Sequence, residues 1–581
     1  MQPLRLAPRD VELDRRGDGS LVLRSRQPLG PHARAVGEWL IHWAAKTPDR
    51  LFLAERVNNE WRTSSYAQTL DAVRRIGQSL LDRGLGPERP VAILSDNSID
   101  HALLALGAMH VGVPVAPISP AYSLMSSDFA KLRAVFELLR PGLVWTADPK
   151  RFAPALAAVG ASVTAIGELT AAPANPQVDE AFARLMPDTV AKILFTSGST
   201  GTPKGVITTH RMLTANQTQI VQAWPFMEDE PPVLVDWLPW NHTFGGNFTF
   251  GLVLRNGGTM YIDGGKPVPG LIDTTVRNLR EIAPNLYFNV PRGFDLLLSF
   301  LERDAELRRN FFSRCKFVFY AAAALSQNLW DRFEKLARAE RDGNVLLVSA
   351  WGSTETAPLA TAVHWPIQKA GCIGLPVPGC ELKLVPTAGK LEARVRGPNV
   401  MPGYLHRADL TAAAFDEEGF YRIGDALKFE DPSDPARGVA FDGRVAEDFK
   451  LSNGTWVHVG ALRVALIAAA DPLVQDAVIT GHDRDEVGAL LFLNPVAASG
   501  LPAEEIRSRI REALRRLAAG GGGSSTRIGR ALVLEEAPRL DLGEITDKGY
   551  LNQQAVLESR RPFVDALYAE TPAAVVIRVT S

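Results

Sequence analysis

Apolar and polar positions along this chain follow two periods that keep trading places. Tyr66 to Arg83 carries apolar residues at helical spacing, Pro90 to Leu94 is a short apolar run, and Ile99 to His110 returns to helix. Further on, Ala321 to Arg338 reads as a helix after a short lead, and Val345 to Ser349 as a strand. Such alternation predicts an α/β protein with layered, largely parallel sheets. Residues 1 to 35 read as an irregular lead-in, and no short-period repeat is present. A chain of 581 residues exceeds one typical core. We place the boundary at Asp442-Gly443-Arg444, giving a large N-terminal α/β domain over 1–443 and a small α+β domain over 444–581. Within the latter, Ala518 to Thr526 reads as a surface loop.

One run stands out chemically. The apolar stretch Ala191 to Phe195 reads as a short strand that empties into Thr196-Ser-Gly-Ser-Thr-Gly-Thr-Pro-Lys-Gly205. A loop made only of Thr, Ser, Gly, Pro and Lys offers backbone N–H groups, hydroxyls and one cation, the makings of a polyphosphate receptor. It is not the P-loop of strand-helix NTPases. Counting from Gly198 or Gly201, the required second glycine falls on Pro203 or Val206.

Composition narrows the partners. With 63 Lys and Arg against 65 Asp and Glu, the net charge is −2, and 46% of residues are hydrophobic. Neither value suggests nucleic acid or an anionic membrane as a partner. The three cysteines, Cys315, Cys372 and Cys380, lack CxxC spacing and read as reduced thiols. Met1 to Gly30 is charged and lacks the apolar core of a secretory signal, and Ala102 to Pro117 is too short to span a membrane. These readings predict a soluble, cytoplasmic protein. The oligomeric state is open between monomer and homodimer.

The segment Thr196 to Gly205 resembles the AMP-binding signature of the adenylate-forming superfamily, which includes acyl-CoA synthetases and the adenylation domains of peptide synthetases. The resemblance covers about Val36 to Tyr568 and implies ATP, Mg²⁺ and CoA as cofactor and co-substrates. It implies that Thr196, Ser197, Gly198, Ser199, Thr200 and Gly201 wrap the β- and γ-phosphates, while Lys204 neutralises departing pyrophosphate. Trp351-Gly-Ser-Thr-Glu355 is similar to the family's Tyr-Gly-x-Thr-Glu; Thr354 then meets the α-phosphate, Glu355 holds Mg²⁺, and Gly352 faces the substrate. Phe319 to Ser326 resembles the Gly-rich adenine wall, with Ala322, Ala323 and Ala324 in place of glycines. Tyr421-Arg-Ile-Gly-Asp425 is similar to Tyr-Arg-Thr-Gly-Asp, which makes Asp425 the acceptor for both ribose hydroxyls and Arg444 a second ribose or phosphate contact.

Arg444 also begins the family's hinge, although Ala446 stands where relatives carry Asp or Lys. After it, Lys450 and Gly454 belong to the loop that swings to the nucleotide and lines the acceptor tunnel. Gly543-Glu-Ile-Thr-Asp-Lys548 resembles the segment whose lysine binds the substrate carboxylate and α-phosphate, and Lys548 is the sole lysine beyond Lys450.

The acid pocket is expected around Asp236 to Gly246, with His242, Phe244 and Gly245 facing the acid, Trp240 at its edge, and Asn289 framing the cavity. Trp240 to Phe250 has no carboxylate to hold an ammonium group, which points to an acid without an amino group. Asp236–Gly246, Phe441–Arg463 and Gly543–Gln554 together resemble feruloyl-CoA synthetase. That implies an ATP-dependent ligase for a hydroxycinnamic acid. Other aryl- or fatty-acyl-CoA ligases, acyl loading onto a carrier protein, and a non-catalytic nucleotide-binding protein are the alternatives.

Overall fold

A computed structural model describes residues 4–197, 202–268, 270–323, 325–341, 345–521, 523–546, 551–570 and 575–579. The predicted elements are present with shifted ends. Helices span Tyr66–Asp82, Ile99–His110 and Gln327–Glu340, and strands span Val91–Ile93 and Leu346–Gly352. Local chemistry explains the starts. Ser65 and Gln68 cap each other at the first helix, and Ser98 accepts from His101 N at the second. The Ile99–His110 helix is apolar nearly all round because it is buried on every side.

Three sheets build the large domain. One orders Leu143–Trp145, Val91–Ile93, Val115–Pro117, Val190–Ser197 and Pro203–Thr209, parallel until the final antiparallel pair. A second has four strands, with Val233–Asp236 at one edge. The third has eleven; its far end carries Leu346–Gly352, Phe317–Tyr320 and Leu286–Asn289 as parallel neighbours. A smaller four-stranded sheet, Val474–Thr480, Val487–Leu493, Ile528–Leu534 and Ile577–Arg578, forms the C-terminal domain with its helices. The main core of the large domain runs to Val439, and that of the small domain starts at Phe449.

Two expectations are corrected. Residues 1–35 are not an irregular lead-in: Val11–Arg15 and Leu21–Ser25 form a hairpin joined to Glu381–Thr387 of the eleven-stranded sheet. The period-two alternation of Val11-Glu-Leu-Asp-Arg15 and the apolar run Leu21-Val-Leu23, separated by the turn residues Gly17-Asp-Gly19, carry that signal. Nor does a ten-residue loop follow Phe195. The strand continues to Ser197 and pairs with Pro203–Thr209, Thr196 lying opposite Lys204. Pro203 opens its strand, the position where its missing N–H is tolerated.

Candidate active site

The first strand of the site ends at Gly352, whose Cα lies so close to the Pro358 carbonyl that a Cβ would sit 1.8 Å from that oxygen. Only glycine fits there, and the tight path delivers the single 3-10 turn Thr354–Thr356. Thr354 is 5% and Glu355 8% exposed. A carboxylate this buried needs partners. Tyr404 supplies one, its hydroxyl donating to Glu355 Oε1 at 3.0 Å.

Tyr404 also reaches the glycine-rich hairpin. Leu405 N donates to Gly205 O at 2.8 Å and Ile207 N to Gly403 O at 3.2 Å, which adds this segment to the edge of Pro203–Thr209. The Lys204 ammonium consequently lies 5.4 Å from the centre of the Tyr404 ring. At the other end Met401 N donates to Glu355 O at 2.8 Å. The 401–405 segment thus staples the lysine hairpin to the glutamate turn. Tyr421 is buried in the same cluster, and burial followed by the Glu355 charge pushes its hydroxyl pKa well up.

Asp425, 6% exposed, sits on Tyr421–Phe429 opposite Arg444 of the neighbouring strand. Trp351 Nε1 donates to its Oδ2 at 2.8 Å. Its Oδ1 is 3.3 Å from Arg444 Nε, yet accepts no well-directed hydrogen bond. Burial raises the Asp425 pKa, against the pull of Arg444 and Trp351. A buried carboxylate oxygen that faces a cation but receives no hydrogen bond fits a sugar hydroxyl.

The strand Phe317–Tyr320 leads to Ala322 and Ala323, both exposed, with Ala322 at φ +77°. A left-handed alanine where glycine is the natural occupant marks a strained turn. Phe319 on that strand stands 5.6 Å from Phe244 between ring centres. Phe244 opens the π-helical turn Phe244–Thr249, in which Gly246 N donates to His242 O at 2.7 Å. Gly245 is forced by closeness: a Cβ would lie 2.4 Å from Leu238 O. His242 and Phe244 are half-buried.

Other candidates lie elsewhere. Trp240 is a core residue packed on His101 and Phe250, not a pocket edge. Asn289 spends its side chain on Trp237 Nε1, Val290 N and Tyr287, so it frames by bracing. Lys450 and Gly454 are exposed on the hairpin between Phe449–Lys450 and Trp456–Val457. Ser452 of that hairpin bonds to Arg484 and Asp485 of the small domain. Gly198, Ser199, Thr200, Gly201, Ala324 and Lys548 lie outside the described residues, as does the side chain of Ser197. Sequence reasoning missed Tyr404 and the donor role of Trp351. Their signals were a tyrosine after Pro402-Gly403, and an indole where a phenol is usual.

A family model described as AMP-binding enzyme matches residues 40–405, and its C-terminal domain model matches 449–572. This chain belongs to the AMP-binding enzyme family. A carboxylic acid reductase of Mycobacterium marinum is 24% identical over 541 residues, 83% of this chain but 44% of the relative. The chain therefore spans under half of that protein. A phenylacetyl-CoA ligase of Aspergillus niger is 28% identical, covering 63% of this chain and 71% of the ligase. The ATP-bound structure of MatB from Rhodopseudomonas palustris superposes with TM-score 0.70 at 21% identity, covering 91% of this chain and 99% of that one. That likeness shows the adenylate-forming fold: a large N-terminal α/β domain and a smaller C-terminal domain. Among the described residues, no helix of this AMP-binding enzyme is long and apolar enough to cross a membrane.

Proposed function

We propose that this AMP-binding enzyme is an ATP-dependent acid–CoA ligase that activates an aromatic, ferulate-like carboxylic acid as its acyl-AMP. The observation that carries the reading is the Lys204–Tyr404–Glu355 chain, with Asp425 Oδ1 facing Arg444 and receiving no hydrogen bond. A cation, a buried carboxylate and a free acceptor are what triphosphate, metal and ribose require.

In the first half-reaction the acid's carboxylate attacks the α-phosphorus. A new O–P bond forms, the bond to the bridging oxygen breaks, and pyrophosphate leaves. Lys204 offsets the departing charge, with Thr196, Ser197 and Gly198 to Gly201 around the β- and γ-phosphates. Thr354 meets the α-phosphate, and Lys548 relieves repulsion between the two anions. Glu355 is the residue to hold Mg²⁺, which when bound supplies charge neutralisation at the phosphates. Among the described residues no group of three or more His, Cys, Asp or Glu forms a cage. One carboxylate plus phosphate oxygens and water suits this ion. Ala322 to Ala324 border adenine; Asp425 and Arg444 hold the ribose.

In the second half-reaction the small domain, taken as 444–581, turns about Arg444 and brings Lys450 and Gly454 to the site. The CoA sulfur forms a bond to the acyl carbonyl carbon, AMP leaves, and the thiol proton passes to solvent. His242, Phe244, Gly245 and Gly352 face the acid. The half-buried phenyl ring of Phe244, packed against Phe319, supports an aromatic acid, as does the name of the phenylacetyl-CoA ligase. Substrate-dependent ATP–pyrophosphate exchange with ferulate, caffeate, benzoate and octanoate tests the assignment. Preference for octanoate overturns the aromatic reading, and acyl transfer that requires a carrier protein in place of free CoA overturns the acceptor.

A further inference from the structure

Two surfaces meet beside the helix Ala130–Leu139, which packs on the strand that carries Lys204. In the large domain, Ser126 and Ser127 precede the helix Ala130–Leu139; in the small domain, Leu540 and Asp541 precede the segment that runs to Lys548. The Asp541 carboxylate accepts three hydrogen bonds across the gap: Ser126 Oγ at 2.8 Å, Ser127 Oγ at 2.8 Å and Ser127 N at 3.2 Å. Lys131 Nζ donates to Leu540 O at 2.5 Å. Bonds to a charged acceptor are the stronger kind, and three converging on one carboxylate fix direction as well as distance.

The receiving turn is organised for this. Ser126 Oγ accepts from Phe129 N at 3.0 Å, and Asp128 Oδ1 accepts from Ala130 N at 2.8 Å. The small-domain side is equally fixed. Glu544, fully buried, accepts from Arg560 Nε at 2.7 Å, from Ser559 Oγ at 2.5 Å and from Arg539 N at 2.8 Å. Ile545 forms an antiparallel bridge to Leu551. Glu544 thereby ties the stretch just after Asp541 to Arg539, Ser559 and Arg560 of the small domain.

We infer that Asp541 is a positioning residue for adenylation: by docking on Ser126 and Ser127 it holds the small domain in the orientation that serves acyl-AMP formation, and it releases for thioester formation. The inference rests on the reading of Lys548 given above. Neither serine nor Asp541 touches the Glu355 or Asp425 clusters, so a purely structural role would affect both half-reactions alike.

The test measures the half-reactions separately on the full chain: ferulate-dependent ATP–pyrophosphate exchange, and thioester formation from supplied feruloyl-AMP and CoA. Asp541→Ala is expected to slow exchange at least about tenfold, the weight of one charge-assisted hydrogen bond, and to leave thioester formation within about twofold. Ser126→Ala with Ser127→Ala is expected to reproduce this, and all three together to add little, because the partners are shared. Hydrogen-exchange mass spectrometry supplies a substrate-free readout: the peptide over 124–131 loses protection in Asp541→Ala. Equal loss of both half-reactions, no change in either, or unchanged protection overturns the proposal. Lys548→Ala, run alongside, judges the underlying reading by itself: unimpaired exchange removes that lysine, whatever Asp541 does.

Discussion

The indole N–H of Trp351 donates to Asp425 Oδ2 at 2.8 Å, tying the strand that leads to Glu355 to the strand that faces Arg444. It occupies one carboxylate oxygen and leaves the other for a ligand. Removing the donor leaves a buried carboxylate short of a partner, at a cost of about 1.5–3 kcal/mol for a bond to a charged group. Trp351→Phe should therefore raise the KM for ATP roughly tenfold with a smaller effect on kcat, and Asp425→Ala should exceed it. Pyrophosphate exchange at varied ATP measures both; an unchanged KM in Trp351→Phe removes the indole from the nucleotide site.

Tyr404 stands between Lys204 and Glu355. Tyr404→Phe keeps the ring under the lysine and deletes only the hydroxyl that Glu355 accepts from. The carboxylate is then held less firmly, so more free Mg²⁺ should be needed for half-maximal exchange, by about threefold to tenfold. Glu355→Gln should raise that requirement further. A magnesium titration identical to wild type in Tyr404→Phe would show that the hydroxyl does not orient Glu355.

Much of this was legible in the sequence for physical reasons. Buried parallel strands are short apolar runs, and the cluster from Gly352 to Glu355 stands out through its resemblance to the family's Tyr-Gly-x-Thr-Glu motif. The strand Val190–Ser197 and its partner Pro203–Thr209 are hidden in the sequence because the Thr, Ser, Gly and Pro residues after Phe195 have the composition of a loop, whereas pairing across the strands decides. Tyr404 and Trp351 escaped because each matters through a partner far away in sequence, Glu355 and Asp425, and no local period encodes such a meeting. Trp240 erred the other way: an aromatic in a pocket motif turned out to fill the core.

The pivot region holds a second cross-domain tie. Lys390, from the hairpin Glu381–Arg396, pairs with Asp448 and donates to Asp442 O at 2.6 Å. Asp448 also takes His458 Nδ1 at 3.0 Å and Val459 N at 3.0 Å. Ala446 carries no charge of its own, so Asp448 anchors the turn. Lys390→Met should leave Asp448 buried without its cation and loosen residues 441–450. Limited proteolysis should cut there several-fold faster; unaltered cleavage would mean the tie does not restrain the pivot.

Buried histidines lower stability in acid. Burial pulls His101, His110 and His210 each down to about 4. Unfolded histidine titrates near ~6.5, so the unfolded chain binds more protons between about 6.5 and 4, and stability falls as pH drops through that window. His110 stacks on Phe182 at 4.4 Å and its Nδ1 lacks a partner. His110→Phe should flatten the fall of Tm between pH 6.5 and 4, and an unchanged slope would show that His110 does not titrate there.

Lys192 gives the opposite end of the pH range. On the strand Val190–Ser197 its amine is buried, donating to Gly246 O at 2.6 Å and Asn247 Oδ1 at 3.3 Å, both in the π-helical turn that begins at Phe244. Burial pulls its pKa down to about 7. An unfolded lysine titrates near ~10.4, so the unfolded chain holds the extra proton between about 7 and 10, and stability rises with pH there. The charge therefore costs most at and below neutrality. Lys192→Met removes the titration but also the donor to Gly246. Its unfolding free energy relative to wild type should improve steadily as pH falls from 10 to 7, by up to about 1.4 kcal/mol per pH unit, whatever the offset. The same variant should raise the KM for the acid, because the turn bearing Phe244 and Gly245 loses its brace. A free-energy difference independent of pH over that window would mean that the amine keeps an ordinary pKa, and an unchanged KM would separate Lys192 from the acid pocket.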